Sequence, residues 1–257
     1  MRLQGEIALV TGSTAGIGRA IATEFAAQGA HVMVTGRDEA RGNAVVEKIT
    51  DAYGTAAFTA ADLSEESRCE ELVDATLARF GSLTVLVNSA VASAVDDDDH
   101  AVGGLATSSW EATLRINLTA PMWLCRAALR PMVTAGHGSI VNISSRAAER
   151  ASQGLAAYIA SKGGLNALTR SIAVDYASHG VRCNTISPGY VLNERRDADL
   201  SEERFRALEA MHLTRLGEAR DVALAAVYLA SPESEVVTGI NLELDGGSSA
   251  ARGLALG

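Results

Sequence analysis

Four apolar residues, Ile7, Ala8, Leu9 and Val10, run directly into Thr11-Gly12-Ser13-Thr14-Ala15-Gly16-Ile17-Gly18. A helical pattern through Ile21, Phe25 and Ala26 follows, as far as Gly29. A short apolar run bounded by a glycine turn reads as a buried strand. Strand, glycine loop and helix in this order describe a phosphate-binding turn. The glycines let backbone approach a pyrophosphate, and the helix N-terminus supplies unpaired amides and the positive end of a dipole. The same order also describes an ordinary tight βα turn, and the glycine spacing differs from G-x-G-x-x-G, so the loop alone leaves both readings open.

The rest of the chain repeats the strand-then-helix pattern. Further strands are expected over residues 31–35, 56–60, 83–87, 138–145, 181–187 and 240–244. Helical patterns lie between them over residues 41–52, from Ser64 onward, over 110–133, across Tyr158 to about Ser178, and over 220–230. Strands alternating with helices predict an α/β fold: a Rossmann-type, doubly wound parallel sheet of about seven strands in a three-layer α/β/α sandwich. The 257 residues, 47% hydrophobic and 21% charged, are read as a single domain over 1–257 carrying both a cofactor and a substrate site. The net charge of −9 argues against nucleic acid as a partner. Cys69, Cys125 and Cys183 are too far apart for a disulfide framework or a metal-ligand cluster, so no metal is expected. With no signal-peptide pattern and no apolar span of ~20 residues, the expected location is cytoplasmic and away from membranes.

The chemistry centres on Tyr158 and Lys162, four residues apart in a helical segment and so on one face. A phenol titrates near ~10, and a cation held close favours its phenolate, which makes a proton donor and acceptor for neutral pH. Ser144 and Ser145 end the fifth strand, where ligands of open α/β sheets bind. Asn117 sits inside a helical pattern although its amide competes with the backbone, which suggests a kink or a held water. Arg37 stands after the second strand, about twenty residues past the glycine loop, where a ribose is expected. A guanidinium there suits a 2′-phosphate, while Asp38 competes as an acceptor for a 2′-hydroxyl or as an N-cap. Asp62 is either an adenine acceptor or a turn former. The run Asp96-Asp97-Asp98-Asp99 is expected in a solvated loop, because adjacent like charges repel. Residues 193–216 read as charged, helical and lid-like. Gly163 and Gly164, inside a helix, are each expected to cost about 1 kcal/mol unless a neighbouring element approaches closely.

Taken together, Thr11 to Gly18, Asp62, Asn88, Asn117, Ser145, Tyr158, Lys162 and Pro188-Gly189 resemble the short-chain dehydrogenase/reductase family in order and spacing, along essentially the full length. The resemblance implies an NAD(P)-dependent oxidoreductase that moves a hydride between cofactor and a carbonyl or secondary alcohol. Tyr158 would be the general acid or base. Lys162 would tune it and hold the nicotinamide ribose, Ser145 would orient the substrate oxygen, and Asn117 would hold a relay water. Gly12, Ser13, Gly16, Ile17, Gly18, Arg37, Asp62, Leu63, Asn88, Ala90, Pro188, Gly189 and Val191 would line the cofactor, with NADP favoured over NAD by Arg37. A lid over about 191–216 and a homotetramer are further implications. The family also holds dehydratases and epimerases, and a dinucleotide-sensing protein without turnover is a further reading. Asn88-Ser89-Ala90-Val91 departs from the family's Asn-Asn-Ala-Gly, and Val91 does not freely take positive φ.

Overall fold

The computed structural model describes residues 1–92, 99–194 and 197–250. Asp96, Asp97 and Asp98 of the acidic run and Arg195 and Arg196 of the expected lid lie outside these residues. The strands are β1 (Ile7–Val10), β2 (His31–Gly36), β3 (Thr55–Ala60), β4 (Val85–Asn88), β5 (Gly138–Ile143), β6 (Val181–Pro188) and β7 (Asn241–Leu244). They form one parallel sheet in the order β3-β2-β1-β4-β5-β6-β7. The helices are α1 (Gly16–Ala27), α2 (Glu39–Asp51), α3 (Glu66–Phe80), α4 (Thr107–Leu114), α5 (Ala120–Ala135), α6 (Ala156–Tyr176), α7 (Glu202–Glu209) and α8 (Ala219–Ala230).

Side chains alternate across the pleat and divide the core in two. Ala8, Val10, Val32, Val34, Val85 and Val87 face one way, packing with Ile21 and Phe25 of α1, Val45 and Ile49 of α2 and Val222 and Val227 of α8. Leu9, Met33, Leu86 and Ile140 face the other way, against Leu72 of α3, Leu124 and Met132 of α5 and Ile172 of α6. Apolar residues on both faces of a strand explain why β1 and β4 read as continuous apolar runs rather than alternating ones. After β3, at one edge, the chain returns to lay β4 beside β1, pairing Val10 with both Val34 and Val87. This reversal falls at β1 and β4, and in such sheets ligands usually bind beyond the C-terminal ends of the strands at that point.

Two helical expectations are corrected. The pattern over 110–133 is two helices, α4 and α5, joined by a π turn at Arg115–Thr119. Asn117 lies in that turn, and its amide bonds outside the helix, which favours a local departure from α geometry. Among the described residues of 193–216, only α7 is helical. It starts where the Ser201 hydroxyl accepts from the Arg204 amide, and the preceding segment is a turn held by Asp197, which accepts from the Asn193 amide at 2.8 Å. The glycine pair in α6 divides. A Cβ on Gly164 would lie 2.8 Å from Leu118 of the π turn, so a neighbouring element does approach closely there, whereas Gly163 faces open space.

Candidate active site

The loop after β1 is built by close backbone packing. Gly12 (φ +63°) lies so near the end of β4 that a Cβ would sit 2.8 Å from the Ala90 Cα. A Cβ on Gly18 would lie 2.4 Å from the Gly12 carbonyl oxygen, and Gly16 has φ +51°. Thr11 fastens the two strand ends together: its hydroxyl accepts from the amides of Ser89 and Ala90 at 3.0 and 3.1 Å. No sequence argument marked Thr11 as more than part of the motif, though a β-strand threonine directly before a glycine turn is well placed for such a bond. The Ser13 hydroxyl is fully buried, donating to Val10 O at 2.6 Å and accepting from the Thr35 amide. Ser13 therefore shapes the loop, and its hydroxyl is not offered to a ligand. The N-cap of α1, Ala15, makes no side-chain cap bond, so the first-turn amides from Gly16 to Gly18 meet no capping side chain. This is the donor set that an anionic pyrophosphate fits. Ile17 packs on the first core layer and Leu63 on the second.

At the end of β2, Arg37 is exposed. Asp38 caps α2, accepting from the Arg41 amide at 2.9 Å and from Arg41 Nε at 2.6 Å, so its N-cap reading holds. Asp62 accepts from the Ser64 amide at 3.0 Å. That bond holds its carboxyl below the usual aspartate range, with the Arg37 charge adding to it. Asn88 is buried and turned into the protein, where its amide donates to Asn142 Oδ1 at 2.8 Å. Asn142 in turn donates to Thr169 of α6, so this chain of bonds ties β4 and β5 to α6. Val91 keeps negative φ; among the described residues only Tyr53 is a non-glycine with positive φ. Gly189 follows β6 so close to β7 that a Cβ would lie 2.9 Å from the Asp245 Cα, and Val191, mostly buried, bridges to Gly217.

Beyond the ends of β4 and β5 lie the four residues proposed for chemistry. Lys162, only 4% exposed, donates from Nζ to Ile143 O at 2.9 Å. The ammonium stands 5.6 Å from the centre of the Tyr158 ring. Burial pushes the lysine down from 10.5 to about 8. Ser144 is buried with its hydroxyl donating to Lys162 O at 3.3 Å, whereas Ser145 is half-buried at the head of a 3-10 turn and accepts from the Ala147 amide at 3.1 Å. Of the two serines, only Ser145 remains accessible. Asn117 is buried; its Oδ1 accepts from the Ala92 amide at 3.0 Å and its Nδ2 donates to the Ser161 hydroxyl at 3.2 Å. Ser161 donates to the Tyr158 carbonyl at 2.7 Å. Asp99 departs from the solvated-loop expectation: its carboxylate accepts from the Ala157 and Tyr158 amides at 3.0 and 2.8 Å. The three cysteines are buried as free thiols, and burial pushes Cys69 and Cys125 up to about 12.

A family model described as enoyl-(acyl carrier protein) reductase matches residues 12–249. The chain is 35% identical to a D-threitol dehydrogenase of Mycolicibacterium smegmatis, over 96% of this chain and 94% of that protein. It is 34% identical to glucose 1-dehydrogenase 2 of Bacillus subtilis, over 95% of each. A solved short-chain dehydrogenase/reductase from Mycobacterium ulcerans superposes with a TM-score of 0.92 at 30% identity, covering 98% of this chain and 93% of that one. The chain belongs to the short-chain dehydrogenase/reductase family. Membership carries an oxidoreductase scaffold and a nicotinamide dinucleotide, for which the uncapped α1 terminus and the tight glycine loop form a fitting cradle. Among the described residues, no helix is long and apolar enough to cross a membrane.

Proposed function

We propose that this protein transfers a hydride between NADP and a carbonyl or secondary-alcohol substrate, with Tyr158 as the general acid or base. The observation that carries the proposal is the buried Lys162 ammonium held beside the Tyr158 ring, next to the accessible Ser145. The bound nicotinamide supplies the hydride acceptor or donor. The residues of the chain do the rest. The Ser145 hydroxyl orients the substrate oxygen, and Tyr158 gives that oxygen a proton in reduction or takes one in oxidation. Lys162 favours the phenolate and, through its remaining donors, holds the nicotinamide ribose. Asn117 stiffens the first turn of α6 through Ser161, and a water at its main chain links Lys162 to solvent. Gly12, Gly16, Ile17, Gly18 and Ala90 hold the pyrophosphate and adenosine by main chain. Asn88 sets the strand end behind them, and Pro188, Gly189 and Val191 face the carboxamide.

NADP is favoured because Arg37 stands exposed at the end of β2 while Asp38 is engaged by Arg41. An engaged carboxylate is a weak competitor for a ribose hydroxyl, and a guanidinium matches a phosphate. The protein works as a cytoplasmic homotetramer in this reading. Gly163, which faces open space in the single chain, gives α6 a flat surface for a partner helix. Tyr158→Phe should abolish turnover across a carbonyl and alcohol panel while leaving dinucleotide binding within about twofold; full activity in that variant would overturn the assignment. In a fluorescence titration NADPH should bind more tightly than NADH, with Arg37→Ala losing the difference. Tighter NADH binding by the parent protein would reverse the cofactor choice.

A further inference from the structure

We infer that Asp99, the last aspartate of the acidic run, is a positioning residue for Tyr158. The inference rests on the catalytic role proposed for that tyrosine. Tyr158 is the third residue of α6, which starts at Ala156. A helix leaves its first amides without intrahelical partners, and its first turn is where fraying begins. The first backbone bond into this helix is from the Ile159 amide to Leu155 O, at 2.9 Å. Leu155, at the N-cap, offers no side-chain bond. The Ala157 and Tyr158 amides are taken instead by one carboxylate from 58 and 59 residues earlier, Asp99 Oδ1 at 3.0 Å and Oδ2 at 2.8 Å. A charged acceptor at a helix N-terminus also meets the favourable end of the dipole.

The same residue is held from the other side. The Tyr158 carbonyl accepts from Ser161, whose hydroxyl accepts from Asn117, whose Oδ1 accepts from the Ala92 amide. The segment after β4 therefore reaches the tetrad at two points, at Ala92 through Asn117 and at Asp99 through Tyr158. Lys162 lies one turn deeper and is fixed independently by Ile143 O. Asp99 thus sets where the first turn that carries the tyrosine stands relative to the Lys162 ammonium, which is held at Ile143 O. The pyrophosphate cradle is built from α1 and the ends of β1 and β4.

The test compares Asp99→Ala, Asp99→Asn and Asp99→Ser with the parent protein, well below their melting temperatures. In Asp99→Ala, kcat should fall at least about tenfold while NADPH affinity by fluorescence titration stays within about twofold. Asn and Ser, which keep an acceptor suited to an N-cap, should each recover part of the loss. Hydrogen exchange of the peptide spanning residues 156–162 should speed up in the alanine variant. A kcat within twofold of the parent, or a loss matched by equally weakened NADPH binding, overturns the inference. Hydrogen exchange needs no substrate. If the parent turns over nothing, the proposed function fails, while unchanged exchange in Asp99→Ala separately removes Asp99 from the helix start.

Discussion

Replacing Lys162 with methionine should make the protein more stable and inactive. A lysine whose affinity for a proton drops from 10.5 to about 8 on folding carries a folding penalty of about 3 kcal/mol at neutral pH, at about 1.4 kcal/mol per tenfold. The side chain is 4% exposed, so solvent screening does little to reduce that figure. The sign follows from which state holds the proton. Below pH 8 the lysine is charged in both states, and the folded chain bears the full penalty. Between about 8 and 10.5 the folded chain has shed its proton and the unfolded chain still binds it, so stability climbs with pH across that window. Methionine has a similar unbranched length and no charge. Against its gain stands the Ile143 carbonyl, which loses a donor now at 2.9 Å, at about 1–2 kcal/mol.

The balance is about 1–2 kcal/mol in favour of Lys162→Met at pH 7, a melting temperature higher by roughly 2–8 °C for a chain of this size. The measurement is thermal unfolding of parent and variant without dinucleotide, at equal protein concentration, from pH 7 to pH 10. The gap should be widest at pH 7 and narrow toward pH 10. A variant less stable at pH 7, or a gap that stays constant with pH, would refute the reasoning, because either means that the buried ammonium is not what burdens the fold. Loss of turnover in the same variant would place this position among sites where stability is given up for function.

Gly18→Ala should weaken dinucleotide binding at least tenfold and lower the melting temperature by several degrees, measured by titration and calorimetry. Its Cβ would meet the Gly12 carbonyl at 2.4 Å, backbone that no rotamer change can move. His137→Gln should lower stability at pH 5.5 more than at pH 9. The Glu6 bond raises the His137 value above its ordinary 6.5, so the charged imidazole contributes fully below 6.5 and is lost as pH rises through the raised value. Burial pushes Glu6 up, but the bonds from His137 and Thr84 outweigh it and hold it below 4.5, so the pair is intact between about 4.5 and 6.5. At 48% exposure of the imidazole the effect should stay under about 1 kcal/mol, and an equal loss at both pH values would contradict the pairing.

What the sequence made legible follows from how local the physics is. The strand-loop-helix start and the alternation after it are statements about neighbouring residues, and the parallel sheet follows from them. Tyr158 and Lys162 share a helix face for the same reason; Gly12 and Gly18 are glycines because backbone packs where their Cβ would be, and Gly16 because its φ is +51°. What escaped depends on contacts between distant segments. Whether Asp38 caps a helix or awaits a ribose depends on Arg41 turning back toward it. Asn88 and Ser13 look like ligand contacts because they lie in the motif. Only the fold shows the Asn88 amide nitrogen donating to Asn142 and the Ser13 hydroxyl taken by the ends of β1 and β2. The π turn at Asn117 similarly needs Ser161 and Ala92, which are 44 and 25 residues away.

Asp99 shows the same division most sharply. Four like charges in a row repel, and that argument disfavours burying them together. It says nothing about one member whose charge meets two amides at a helix start, since a carboxylate there is stabilised by the field that its neighbours oppose. Composition averages over the run, while the contact with α6 belongs to Asp99 by its position. Asp99 and α6, separate features in the sequence, are therefore joined at the tyrosine. A variant that shifts the run one residue toward the N-terminus, Val95→Asp with Asp99→Val, keeps four adjacent charges and should disturb turnover as much as Asp99→Ala does, because the position of one acceptor matters there and the total charge does not.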